Sequence, residues 1–114
     1  TEEINNPNVV KVICDKNDYA IYFSRLPIPY NRSGADCEYF RHIGVYGFRR
    51  EFLLKYAVME QTFLEKAESL EQLRAIENGY KIKVVETEFE VRGVDTKEDL
   101  VAVEELIKKN NITI

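Results

Sequence analysis

The sequence is poor in several residue types that carry enzyme chemistry, with one histidine, two cysteines and no tryptophan. Cys14 falls in a strand-like stretch and Cys37 in a polar loop, at a spacing typical of neither a metal site nor a redox pair. We therefore expect two free thiols, with a disulfide between them as the alternative. The residues also give no specific Ser/His/Asp or Cys/His combination for nucleophilic catalysis.

Other absences exclude whole classes of partner. None of the five glycines belongs to a dinucleotide-binding G-x-G-x-x-G pattern or to a P-loop. The formal net charge is -4 without a basic stripe, so nucleic acid is not expected as a partner. No apolar run approaches the roughly 18 residues that span a bilayer, and no secretion signal opens the chain. We expect a cytoplasmic protein that does not insert into membranes.

What the sequence does contain is enough apolar material for a folded core. It has 114 residues, of which 45% are hydrophobic, including seven tyrosines and six phenylalanines. This length predicts one domain. The chain begins without methionine, and Thr1 to Pro7 look like a linker, so we expect a piece of a longer protein.

The longest helical pattern covers residues 64–79, where nearly every residue favours helix and Asn78-Gly79 supplies a stop. Its apolar residues spread around most of the helical wheel, which predicts packing on more than one side. Glu71 and Arg74 lie among them, so these two charges are not expected to reach open water together. Charges on a covered face need partners or a function.

Strand patterns flank this helix. Val9 to Cys14 and Tyr19 to Phe23 surround a four-residue turn, which predicts a hairpin. The prolines of residues 24–30 exclude a helix and predict an extended segment that lies against the fold. Residues 40–48 alternate as a strand, and residues 81–87 predict another.

Two further helices complete the pattern. One is short, from Arg49 to Tyr56, and the last runs to about Lys109 behind a capping box that begins at Thr96. The order of hairpin, strand, two helices, strand and helix predicts an α/β fold with helices packed on a mixed sheet.

Two residues in the first half are candidates for a site. His42 is either a half-buried strand residue or a ligand or proton-transfer group that titrates near neutrality, and Gly44 and Tyr46 beside it favour a ligand wall. Arg25 either clamps the proline segment to the fold or holds a carboxylate or phosphate bidentately.

Three residues in the second half are further candidates. Asp95, just before the Thr96 cap, either favours the helix dipole or holds Mg²⁺ beside phosphates at a strand-to-helix loop. Glu71 and Gln72 are either ordinary helix residues or part of a site, and the wheel position of Glu71 favours a site.

At these residues the chain resembles the carboxy-terminal half of the 3-deoxy-manno-octulosonate (Kdo) cytidylyltransferases, the CMP-Kdo synthetases. The matching stretches follow the family's order and spacing and cover nearly the whole chain. They are Val9 to Asp15, Tyr22 to Tyr30, His42 to Tyr46, Leu64 to Arg74, Glu77 to Gly79 and Gly93 to Thr96.

The resemblance implies a three-layer α/β nucleotide-diphospho-sugar transferase fold and a reaction of lipopolysaccharide biosynthesis. The anomeric hydroxyl of Kdo would attack the α-phosphorus of CTP, giving CMP-Kdo and pyrophosphate, while Mg²⁺ neutralises the phosphates. The family is cytoplasmic and homodimeric, which makes Pro27 to Tyr30 a candidate dimer contact. Carried over by position, Asp95 would bind the metal. The residues implied to bind Kdo are Arg25, His42, Tyr46, Glu71 and Gln72.

The chain departs from the family in two ways. Leu26 stands where the family usually has serine or another small residue, and the amino-terminal half is missing, with its phosphate-binding loop and its other metal-binding aspartate. Residues 1–114 are therefore interpreted as the sugar-binding and dimer-forming half of one cytidylyltransferase domain, inactive alone. The alternatives are a naturally short, non-catalytic binding or dimerisation module, and a cytidylyltransferase for a different 2-keto sugar acid.

Overall fold

The computed structural model describes residues 2–88 and 97–109, and its sheet is built on the expected hairpin. Strands β1 (Lys11–Cys14) and β2 (Ala20–Ser24) pair antiparallel, with Val12 opposite Phe23. Strand β3 (Phe40–Arg41) pairs antiparallel with the other edge of β1, so the order is β2-β1-β3. The predicted hairpin is confirmed.

Asp15 organises the turn of this hairpin. Its Oδ1 accepts hydrogen bonds from the backbone N–H groups of Asn17 and Tyr19, at 2.9 and 3.0 Å. Asp18 takes a positive φ of 65°, a conformation that aspartate tolerates better than most residues. The four turn-forming residues thus close the hairpin through local hydrogen bonds.

The described helices are α1 (Glu2–Asn5), α2 (Arg50–Ala57), α3 (Phe63–Glu68), α4 (Leu73–Glu77) and α5 (Lys97–Lys109). The predictions for α2 and α5 are confirmed. The capping box before α5 begins at Thr96, which lies outside the described residues. No helix within the described ranges is both long and apolar enough to cross a bilayer.

The single helix predicted over residues 64–79 is wrong, because the chain breaks between α3 and α4. Ser69 takes a left-handed conformation, with φ 55° and ψ 47°. The Arg25 guanidinium donates to the carbonyl oxygens of Glu68 and Ser69, which lie at the end of α3. The break is therefore stabilised by a residue far away in sequence. The predicted stop is confirmed, since α4 ends at Glu77 and Gly79 has φ 82°.

Both later strand predictions are wrong in extent. Within residues 40–48, the strand is limited to Phe40–Arg41. One further backbone bond follows it, from the His42 N–H to the Val10 carbonyl at 2.8 Å. Residues 81–88 make one isolated bridge, between Lys83 and Tyr19. A strand needs a partner along its length, and short ladders leave these segments irregular. The strand pairs formed by the described residues are all antiparallel, so the parallel pairs of a mixed sheet are not found among them.

The opening residues do not form the expected linker, because they pack against the fold through α1 and the turn that follows it. After α1, the Asn6 carbonyl accepts from the Lys11 ammonium at 2.7 Å, and the Pro7 carbonyl accepts from the Arg25 guanidinium at 2.9 Å. Lys11 is only 2% exposed, and its second acceptor is the Arg25 carbonyl, at 2.8 Å. Burial, with a smaller effect from the Arg25 charge, lowers the pKa of Lys11. The first turn therefore supplies acceptors for two cations.

The core lies between the sheet and the α3–α4 pair. Val12 and Phe23 of the sheet pack against Leu70 and Leu73, and Leu73 is completely buried. Burying each such side chain contributes about 1.5–3 kcal/mol. Cys14 and Cys37 are free thiols. The sheet with its packed helices is the α/β arrangement that the sequence predicts.

Candidate functional site

A cavity of about 960 Å³ opens beside the sheet. It is bordered by β1, by the segment that carries His42 and Tyr46, and by residues 82–88. Two of the five residues assigned to sugar binding therefore line one cavity.

His42 and Tyr46 form a hydrogen-bonded pair, with the Tyr46 hydroxyl 2.7 Å from His42 Nε2. Burial raises the pKa of Tyr46 to about 12, and the nearby Tyr56 and Glu71 add to this effect. Burial also lowers the pKa of His42, whose ring meets Phe23 edge-on at 5.0 Å. At neutral pH the hydroxyl is protonated and the imidazole is neutral, and in the tautomer that carries its proton on Nδ1 the hydroxyl donates to Nε2 and leaves Nδ1–H as a donor for another group.

Glu71 and Gln72 lie in the turn between α3 and α4. The Glu71 side chain is exposed, and its charge is close enough to raise the pKa of Tyr46. Gln72 Nε2 is shielded from solvent and has no hydrogen-bond partner among the described residues. Such an amide normally finds a partner, because leaving it unpaired costs about 1–3 kcal/mol. Within the described residues, Gln72 is thus an unpaired donor in this turn, and neither it nor Glu71 lines the cavity that His42 and Tyr46 border.

Arg25 is held by backbone carbonyl groups. Its guanidinium donates to Glu68 at 2.7 Å, to Pro7 at 2.9 Å and to Ser69 at 3.2 Å. The structure therefore supports the clamp alternative for Arg25. These bonds use three of the five N–H donors of an arginine, which leaves donors for a second role. Arg25 also anchors the turn that leads into Glu71.

The Glu68 carboxylate fixes the other side of this clamp. It accepts from the Ser24 hydroxyl at 2.6 Å and from the Arg25 N–H at 3.1 Å. Burial alone raises the pKa of Glu68, but the hydrogen bonds from Ser24, the Arg25 N–H and Tyr22, together with the Arg25 charge, outweigh it and lower the pKa overall. Leu26, the departure from the family pattern, is 69% exposed and so does not fill space within the fold.

Asp95 lies outside the described residues, so its predicted metal role stays a prediction. Among residues 2–88 and 97–109, no group of three His, Cys, Asp or Glu side chains lies close enough to hold a metal ion.

Sequence reasoning missed a buried cluster behind the turn. Arg74 makes two hydrogen bonds to Glu65, from Nε at 2.9 Å and from Nη2 at 2.5 Å, and their side chains are 12% and 6% exposed. The expectation that Glu71 and Arg74 do not both reach water is confirmed, because Arg74 is paired inside. The Arg74 guanidinium lies 5.1 Å from the centre of the Tyr56 ring. No sequence signal indicated Tyr56.

The sequence of the chain is similar to that of known cytidylyltransferases. Residues 1–82 match the cytidylyltransferase family. A 3-deoxy-manno-octulosonate cytidylyltransferase of Fusobacterium nucleatum is 61% identical over 113 residues, covering 99% of this chain and 46% of that protein. One of Solibacter usitatus is 57% identical over 107 residues, covering 93% and 42%.

A solved structure gives the same result for the fold. It is a CMP:2-keto-3-deoxy-manno-octonic acid synthetase complexed with CTP, with a TM-score of 0.91 at 38% identity, covering 96% of this chain and 45% of that one. The chain spans about half the length of the curated relatives it matches. Since the family match takes in the sheet, His42, Tyr46 and the α3–α4 turn, the chain belongs to the cytidylyltransferase family.

Proposed function

We propose that this chain is the sugar-acid-binding part of an enzyme that activates Kdo with CTP, giving CMP-Kdo and pyrophosphate for lipopolysaccharide biosynthesis. The observation that carries the proposal is the similarity of almost the entire chain to relatives named for this activity. The donor and acceptor groups beside the cavity support it, because a sugar acid presents one carboxylate and several hydroxyls.

In this proposal the chain acts by holding Kdo. Tyr46 and the Nδ1–H of His42 contact sugar hydroxyls, Glu71 accepts hydrogen bonds from them, and the buried amide of Gln72 donates to a ligand oxygen. The N–H donors of Arg25 that make no backbone bond are suited to the sugar carboxylate. Such contacts fix the anomeric hydroxyl in line with the α-phosphorus, so this half contributes mainly by positioning.

Mg²⁺ belongs to the proposal through Asp95. A carboxylate suits this hard cation, which neutralises phosphate charge when bound. No described cluster of side chains supplies a metal site. The ion would therefore depend on Asp95 and on groups outside the described ranges. CTP would be held chiefly by residues beyond this chain.

We also propose a cytoplasmic homodimer with a contact at Pro27 to Tyr30. Tyr30 is 86% exposed and Leu26 beside the segment is 69% exposed. Apolar side chains that stand this far out of the fold are suited to a partner surface.

The decisive experiment is pyrophosphate release by the complete gene product, supplied with CTP and Mg²⁺, with and without Kdo. Release that requires Kdo is the expected result. Release that instead requires another 2-keto sugar acid would assign the same chemistry to a different substrate. A folded product that binds Kdo without releasing pyrophosphate would identify a non-catalytic binding module and refute the proposal.

A further inference from the structure

The turn that carries Glu71 and Gln72 packs against a buried cluster, formed by Tyr56, Glu65 and Arg74, that makes none of the proposed contacts to Kdo. Residues 69–72 connect α3 to α4 and are not helical. Within the backbone, the break is bridged by bonds such as Leu70 N–H to the Glu65 carbonyl and Leu73 N–H to the Leu70 carbonyl, both 3.2 Å long. The Arg74 N–H also donates to the Glu71 carbonyl at 3.0 Å, so side-chain contacts to this turn add to one backbone bond on the peptide that follows Glu71.

Tyr56 supplies one of these contacts directly. Its hydroxyl donates to the Glu71 carbonyl oxygen at 2.8 Å. The residue is 9% exposed, and its ring packs against Phe48 and Phe52 at 5.9 and 5.6 Å. Burial and the charge of Glu71 raise the pKa of Tyr56 to about 12, so the hydroxyl keeps its proton at neutral pH. It is a fixed donor to the peptide that joins Glu71 to the next residue.

Arg74 and Glu65 hold this donor in place. The Arg74 guanidinium covers the Tyr56 ring at 5.1 Å while its Nε and Nη2 bind both carboxylate oxygens of Glu65. Glu65 Oε1 also accepts from the Thr62 N–H at 3.1 Å, at the start of α3. The cluster thus joins the beginning of α3 to α4 and closes the turn between them.

We propose that Tyr56 and Arg74 are positioning residues for the sugar-acid pocket. The Tyr56 hydroxyl, held by the Arg74 guanidinium, is the second donor to the Glu71 carbonyl beside the Arg74 N–H, and the two bonds together fix the peptide plane between Glu71 and Gln72, which sets where both side chains point. This inference rests on the proposed function, because it assigns these residues to the binding of Kdo and not to that of CTP.

The test is Tyr56→Phe in the complete gene product, with Tyr80→Phe as the matched control. Tyr80 contacts the same aromatic cluster, with its ring 4.8 Å from Phe52, but its hydroxyl makes no hydrogen bond to any described residue. Loss of one hydrogen bond corresponds to a change of about two- to tenfold. We expect Tyr56→Phe to raise the KM for Kdo by about this factor with the KM for CTP unchanged, and Tyr80→Phe to change neither.

Arg74→Lys provides a second variant, which decides the question should Tyr56→Phe fail to fold. Lysine keeps the charge but has neither the paired donors nor the planar group that stacks on the ring. A rise in the Kdo KM alone is again expected. Two results would overturn the positioning role. One is a KM for Kdo in Tyr56→Phe and Arg74→Lys equal to that of Tyr80→Phe. The other is a rise of the KM values for Kdo and CTP by the same factor, together with a lowered unfolding midpoint. An unsubstituted enzyme inactive with Kdo refutes the proposed function itself.

Discussion

Gln72→Met offers a test in which stability and binding are expected to move in opposite directions. Methionine has nearly the shape of glutamine but no amide. In the present fold Gln72 Nε2 is shielded from water and meets no acceptor among the described residues. A group left in this condition costs about 1–3 kcal/mol, so removing it should raise the free energy of unfolding by a similar amount.

The same substitution should weaken the binding of the sugar acid. If Gln72 donates to Kdo, the variant loses one hydrogen bond, and its KM for Kdo should rise by about two- to tenfold. The KM for CTP should not change. Urea denaturation measures the first quantity and steady-state pyrophosphate release the second. The matched control is Gln61→Met, which changes an exposed glutamine and should leave both values as they are.

A Gln72→Met variant that is less stable than the parent protein and has a normal KM for Kdo would refute the proposed role of Gln72. That outcome would mean that the Gln72 amide has a structural partner and no ligand. A gain in stability without a change in the KM for Kdo would show that the Gln72 amide is unpaired but does not bind Kdo.

Four further predictions concern other residues. Arg25→Met should cost about 2–4 kcal/mol in urea denaturation, because three charge-assisted bonds are lost from a partly exposed group, and a loss below about 0.5 kcal/mol would exclude the clamp. The hydrogen bonds from Arg74 hold the pKa of Glu65 below its usual value of about 4.3. The ionised carboxylate therefore contributes its full stabilisation above that value, and the contribution is lost as the pH falls through the lower pKa of the folded state. Glu65→Gln should flatten that acid loss, and an unchanged slope in acid denaturation would contradict the assignment. Tyr46→Phe removes a donor to the neutral imidazole and should raise the pKa of His42 in an NMR titration, whereas a further drop would show that the ring is held differently. Asp95→Asn should cut turnover by orders of magnitude at an unchanged thermal midpoint, while a large loss of stability with normal activity would favour the capping role.

The sequence predicts the local elements well. The hairpin, α2 and α5 all follow from patterns confined to a few residues, such as the turn formers after Cys14 and the run of helix formers after Arg49. The family resemblance assigns Glu71 and Gln72 in the α3–α4 turn to the site by their positions, and this assignment stays a prediction. Each of these signals is contained within the segment that it describes.

The break at Ser69 could not be predicted in this way. Residues 64–79 favour helix at almost every position, and the bonds that stabilise the break come from Arg25, more than 40 positions earlier. The break also creates the Arg74–Glu65 pair. In one unbroken helix, nine residues turn the chain through about 900°, which places these side chains on opposite faces. The prediction of one continuous helix therefore excluded Glu65 as the partner of Arg74.

The first turn of the chain has a consequence for protein engineering. Lys11 and Arg25 each send one donor into the backbone of residues 6 and 7, and Lys11 is almost completely buried. A chimaera that grafts this half onto a foreign nucleotide-binding half must place its junction before Asn6. A junction placed later exchanges the backbone that accepts from both cations, and the graft then starts with a buried ammonium group short of an acceptor.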